Sequence, residues 1–206
     1  GFSNALIATS FFSILIFWIL NFNKNFNYLQ PFLLIPSAFL LIIHPLFVSN
    51  HFLTTDLSPL FMTHIAIALV AYSLFTFSAY VAIFILIFEK KLHQKKKIDM
   101  ILSGFQPLIE MENFLFNINK IGFILLTITL LSGILFSEQL FGTPLQFNHK
   151  TVFSILAWLI YGLLLVGKRL YGWRGRNSIY ISLTAFVFLL LSYLGSKFVL
   201  EIILHR

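Results

Sequence analysis

The residues best suited to chemistry here are six histidines, five of which fall at or beside the ends of long apolar runs: His44, His51, His64, His149 and His205. The sixth, His93, lies inside the lysine-rich KKLHQKKK at 90–97 and reads as a solvated side chain. A neutral imidazole is a good ligand for haem iron, and two of them from different helices can fill both axial positions. The bland reading of any one of these histidines is an amphipathic anchor at a membrane surface. Other chemistry has little to draw on. With no cysteine, the chain can form no disulfide, thiolate-ligated metal centre or thiol nucleophile. No pair of acids or bases lies inside an apolar run, as a proton relay would require. Phosphate-binding loops, zinc-protease helices and serine-hydrolase elbows are missing as well.

The elements that must position these histidines are membrane-spanning helices. Apolar residues make up 59 % of the 206 positions and charged residues only 10 %, where a soluble domain carries about 25 % charged residues. The excess lies in runs long enough to cross about 30 Å of hydrocarbon. The expected fold is therefore all-α, a polytopic transmembrane helical bundle forming one integral membrane domain over 1–206. Its spans, about six, are placed near 5–20, 30–48, 61–88, 118–136, 150–167 and 179–203. In the third, Ala68, Ala71, Tyr72, Phe75 and Ala79 follow His64 at helical spacing, a face that lets a neighbouring helix come close. His64 should then look into the bundle. The segment Gly104–Asn117 alternates apolar and acidic residues and is expected to lie in the interface as a short amphipathic helix. The chain opens at Gly1, already inside an apolar run, and is read as N-terminally truncated.

Charge orients these spans. The net charge is +7, and the loop Lys168–Arg176 (KRLYGWRGR) carries four cations, whereas Ser137–His149 carries one acid and a histidine. Placing 90–97 and 168–176 on the cytoplasmic side puts eleven of the fourteen Lys and Arg inside. His44, His51, His64, His149 and His205 then share the outer face, with Lys150, Lys197 and Arg206 nearby to neutralise carboxylates. Cations beside apolar runs are explained by the bilayer as partner, so nucleic acid is not expected.

Ser132–Leu200, above all LAWLIYGLLL (156–165), GWRGR (172–176) and YLGSKFVL (193–200), resembles the last helices of the cytochrome c assembly membrane proteins of the CcsA, CcmC and HemX-like type. THIAIALVAYSLFTF (63–77) resembles the helix of that family that begins with a haem-ligating histidine. The likeness covers about 140 residues from Pro59 onward and is nearest the YpjD-like inner-membrane branch, whose members have about eight spans. It implies a haem-handling carrier or chaperone of the bacterial inner membrane that breaks no bond itself. Haem b would be its cofactor, and the bilayer, haem and other cytochrome c maturation proteins its partners. His64 would be the proximal ligand, with His149 and His205 as rivals for the other side. His205 lies within about one position of the family's second outer histidine. His149 falls in the family's tryptophan-rich loop, W-G-x-x-W-x-W-D. Here Phe141-Gly142 stands for Trp-Gly, Leu145 and Phe147 replace tryptophans, and Asn148 replaces the aspartate. That departure keeps a second reading open, a structural or regulatory membrane subunit of the same fold without haem.

Overall fold

The computed structural model describes residues 2–22, 26–43, 59–93, 108–141 and 149–195. Among them the chain forms six helices in order: α1 (Phe2–Asn21), α2 (Gln30–Ile43), α3 (Pro59–His93), α4 (Leu108–Phe141), α5 (His149–Tyr171) and α6 (Arg176–Leu190). A 3₁₀ turn at Asn27–Leu29 leads into α2, and α6 runs on into a π-helical turn at Leu191–Gly195. The expected all-α membrane bundle is what forms. Four helices, α3, α4, α5 and α6 with its continuation to Tyr193, are long and apolar enough to cross a bilayer, while the apolar stretches Leu6–Asn21 and Gln30–Ile42 are shorter.

The organising element is α3, apolar all round and packed against α1, α2, α4 and α6. A helix without a polar face has to be surrounded. Two buried clusters result. One gathers Phe17, Leu33, Phe77, Ile85, Met111 and Phe114, joining α1 and α2 to α3 and α4. The other gathers Phe75, Leu126, Ala157, Tyr161 and Leu189, joining α5 and α6 to the same pair. Ring stacking sets the spacing in both, with Phe26 on Phe114 at 4.5 Å and Phe75 on Tyr161 at 4.1 Å between centroids. On the outside, Ile35, Leu131, Leu135 and Leu163 stand exposed, as side chains facing lipid do.

Segment 104–117 departs from expectation. Residues 101–107 lie outside the described set, and from Leu108 the chain is the first part of α4 rather than a separate helix on the membrane surface. The reason is its period. Met111, Leu115 and Ile118 recur at i, i+4 and i+7, and all three are buried with Phe114 against α3. The acids between them take other roles.

Because lipid tails are as apolar as leucine, small residues and hydrogen bonds must hold the helices together. Asn119 on α4, fully buried, does so at a three-way junction. Ser78 Oγ on α3 donates to its Oδ1 at 2.5 Å, and its Nδ2 donates to Ser182 Oγ on α6 at 2.9 Å. Further along, Trp158 Nε1 on α5 donates to Thr127 Oγ1 on α4 at 2.9 Å.

The turn between α5 and α6 is tied down differently. Gly172 and Gly175 have φ of 64° and 75°, left-handed values that favour glycine. Gly175 N–H, just ahead of α6, donates to Glu112 Oε1 on α4 at 2.7 Å. A carboxylate suits that position, since the first amides of a helix lack partners within it. Lys168 Nζ donates to Asn113 Oδ1 at 3.0 Å and sits 3.8 Å from the centre of the Phe116 ring. Trp173 folds back so that its indole lies where a β-carbon on Gly167 would be, 2.3 Å from the nearest ring atom. Gly167→Ala must therefore displace the indole and is expected to cost about 1–3 kcal/mol. Thermal unfolding in detergent, with Gly162→Ala as the control, checks it. At Gly162 the same carbon would meet Phe123 at an ordinary 3.5 Å, so that variant should melt near the wild type.

Candidate functional site

His64 lies in the second turn of α3 and points into the seam with α4. There its Nδ1 is 2.7 Å from Ser132 Oγ. Phe61, one turn earlier on α3, and Phe136, one turn later on α4, flank the ring at 6.1 and 5.6 Å between centroids. Gly133, beside Ser132, keeps this part of α4 low; a β-carbon there would be 3.6 Å from His64 Cε1. The imidazole is half-buried, with Ser132 as its hydrogen-bond partner and the Lys150 charge close enough to act on it. Ser132 Oγ also donates back to Ile128 O at 2.8 Å, with a longer contact of 3.2 Å to Thr129 O.

A second polar cluster sits about two turns further along α3. Tyr72 OH is 3.4 Å from Ser192 Oγ, in the π-helical turn after α6. Ser192 Oγ is 2.5 Å from Ser154 Oγ on α5. Lys150 O lies within reach of both serines, 2.8 Å from Ser154 Oγ and 3.0 Å from Ser192 Oγ, so one proton of the pair goes to the carbonyl and the other bridges the two hydroxyls. Two hydroxyls therefore converge on one carbonyl in the first turn of α5, and Tyr72 joins them through Ser192, which ties that turn to α6 and α3. Ser192 belongs to the π-helical turn, a form that is rare overall and frequent at functional sites.

This pinning positions His149. It opens α5, one residue before Lys150, and is exposed with no hydrogen-bond partner among the described residues. His64 and His149 thus begin two helices at the same end of the bundle, one held in a seam and the other open. His205 lies outside the described residues, as do His44, His51, Lys197, Arg206 and most of the 141–148 motif. Sequence reasoning passed over Ser132, Ser154 and Ser192. Serines are common in membrane helices, and only the α3–α4 register shows that Ser132 meets His64.

What could these residues hold? Among the described residues no three His, Cys, Asp or Glu come together to bind a bare metal ion. An iron porphyrin asks less of the protein, since the macrocycle supplies four ligands and the chain only axial ones. One imidazole with apolar walls fits that need. A cleft of about 260 Å³ lies among α1, α2, α3 and α6, lined by Leu40, Tyr80 and Phe186 and bordered by Tyr72 of the second cluster. No histidine borders it.

Comparison with known proteins supplies the context. The model of the cytochrome c assembly protein family matches residues 2–204. Inner membrane protein YpjD of Escherichia coli K12 is 32 % identical over 158 residues, 76 % of this chain and 59 % of that protein. Cytochrome c biogenesis protein CcsA of Chlamydomonas reinhardtii is 25 % identical over 141 residues, 68 % of this chain and 38 % of that protein. CcsA of Prochlorococcus marinus MIT 9301 is 35 % identical over 78 residues, 38 % of this chain and 25 % of that protein. The chain thus spans about three fifths of YpjD and less of each CcsA. No solved structure matches.

The serine cluster makes its own prediction. In a double-mutant cycle, Ser154→Ala and Ser192→Ala should show a coupling of about 0.6 kcal/mol and no more than about 1.7, the range for hydrogen bonds between membrane helices. Unfolding of the four proteins in mixed micelles measures it, and strict additivity would mean the two hydroxyls act separately.

Proposed function

The chain belongs to the cytochrome c assembly protein family, and from that premise we propose that it binds and passes on haem b at the outer face of the bacterial inner membrane. It is a multi-pass protein of that membrane. The relatives named for cytochrome c biogenesis support a part for it in building cytochromes c, as an assembly factor rather than an enzyme of its own. The observation that carries the reading is His64, held in an apolar seam by a single hydrogen bond to Ser132.

On this reading His64 supplies the proximal imidazole, and Phe61 and Phe136 exclude water from beside it. The iron supplies the chemistry when bound; the protein fixes the ligand and shields it. His149 and His205 are the rivals for the opposite side. Exposure of His149 suits a ligand that lets go when cargo is passed on. With the loops 90–97 and 168–176 inside, the His64 end faces outward, where haem meets apocytochrome. The maturation partners on that side would supply the thiols that this cysteine-free chain lacks.

A second reading has its own observation. The stretch FGTPLQFNH at 141–149 replaces the tryptophans and the aspartate that the family motif carries. It favours a subunit that keeps the fold without haem.

Spectra of the detergent-purified protein, oxidised and dithionite-reduced, separate the two. The haem reading expects a sharp Soret and α band in the wild type, lost or shifted in His64→Ala. His149→Ala and His205→Ala then identify the second ligand. A protein that stays colourless after haem is supplied would favour the subunit reading.

A further inference from the structure

A serine hydroxyl has one proton, and at Ser132 a backbone acceptor for it lies within reach. Its Oγ donates to Ile128 O at 2.8 Å, the carbonyl one turn back. The neighbouring threonines do the same, Thr127 to Phe123 O at 2.7 Å and Thr129 to Leu125 O at 2.8 Å. On this stretch of α4, hydroxyls turn their protons to the helix backbone. With its proton on Ile128 O, Ser132 offers His64 a lone pair, and the 2.7 Å contact is then made by the ring donating from Nδ1.

From this we infer that Ser132 is the positioning residue of the site. It holds His64 in the tautomer protonated at Nδ1, with the lone pair of Nε2 free to ligate. The inference deepens the haem reading and rests on it for the identity of the ligand. In water a neutral histidine favours the opposite tautomer, with its proton on Nε2, so a half-buried ring without Ser132 has no reason to adopt this one. Among the described residues Nε2 has no hydrogen-bond partner.

The kind of acceptor matters as much as its presence. A carboxylate behind a ligating histidine pulls strongly on the Nδ1 proton and makes the ring a more basic ligand. A neutral hydroxyl, its own proton given to a carbonyl, pulls weakly. Ser132 thus orients the imidazole while leaving it a moderate donor. A ligand of that strength suits cargo that must be released.

Two measurements test this, one of them without haem. In ¹⁵N-histidine-labelled protein in nanodiscs, the resonance pair lost in His64→Ala should report a protonated Nδ1 and a bare Nε2. Ser132→Ala should move the ring towards the Nε2-protonated form. Ser132→Thr should restore the wild-type pattern, because threonines on this helix place their hydroxyls in the same way. A wild-type ring protonated at Nε2, or a tautomer indifferent to Ser132→Ala while Ser132→Thr folds normally, overturns the inference. In the haem-loaded protein, Ser132→Ala should weaken haem binding about 10- to 100-fold and raise the iron reduction potential, with Ser132→Thr near the wild type. Unchanged affinity and potential in Ser132→Ala overturn it too. Failure to take up haem overturns the cofactor reading alone, since the tautomer is read in the apoprotein.

Discussion

A buried amide fixes how this bundle can turn. Without a hydrophobic force between helices in lipid, rotation about each helix axis is set by whichever polar groups have to find one another. Asn119 needs an acceptor and a donor, and it finds them on two helices at once, Ser182 on α6 and Ser78 on α3. Rotating any of the three would strand an amide or a hydroxyl in hydrocarbon, at a cost of about 1–3 kcal/mol per group. His64 and Ser132 lie about 20 Å further along the same antiparallel pair, at 1.5 Å per residue. Their meeting follows from the register set at Asn119. The seam that holds the imidazole is thus specified by a contact far from it.

The two polar clusters at the His64 end divide the work. Ser132 orients a single ring, whereas Tyr72, Ser154 and Ser192 fix a piece of backbone, the first turn of α5. One histidine is consequently constrained through its side chain and the other only through its main chain. On the proposed haem reading, one tight contact and one loose one would suit a cargo that is handed on.

Much of this was legible in the sequence. Long apolar runs give the helices and their order, because length and hydropathy are properties of a segment. The small-residue face after His64 also reads directly, and Ala71, Phe75 and Ala79 are buried as that face implies. What could not be read depended on pairing. Glu110 and Glu112 made 104–117 resemble a surface helix, whereas the apolar side of that stretch packs on α3 and Glu112 meets a backbone amide from a turn 63 residues later. Asn119 sits near the start of its apolar run, and nothing in the sequence marks it as a junction between three helices. Ser132 carries no signal until α3 and α4 are laid side by side. For His205 and the altered tryptophan-loop positions, the sequence still supplies the whole account.

The lengths of α3 and α4 have one more consequence. At 35 and 34 residues each is about 50 Å long, against about 30 Å of hydrocarbon. Some of each helix therefore stands in the headgroup layer. At the end where α3 finishes, the contact between Glu89 and Arg176 at 3.7 Å joins charged side chains of which the arginine is 59 % exposed. At physiological ionic strength such charges are screened over about 8 Å. The Asn119 junction is neutral and buried, so dissolved ions hardly reach it. The bundle is consequently graded in its response to electrolyte, with a charged end that loosens as salt rises and a neutral waist that does not.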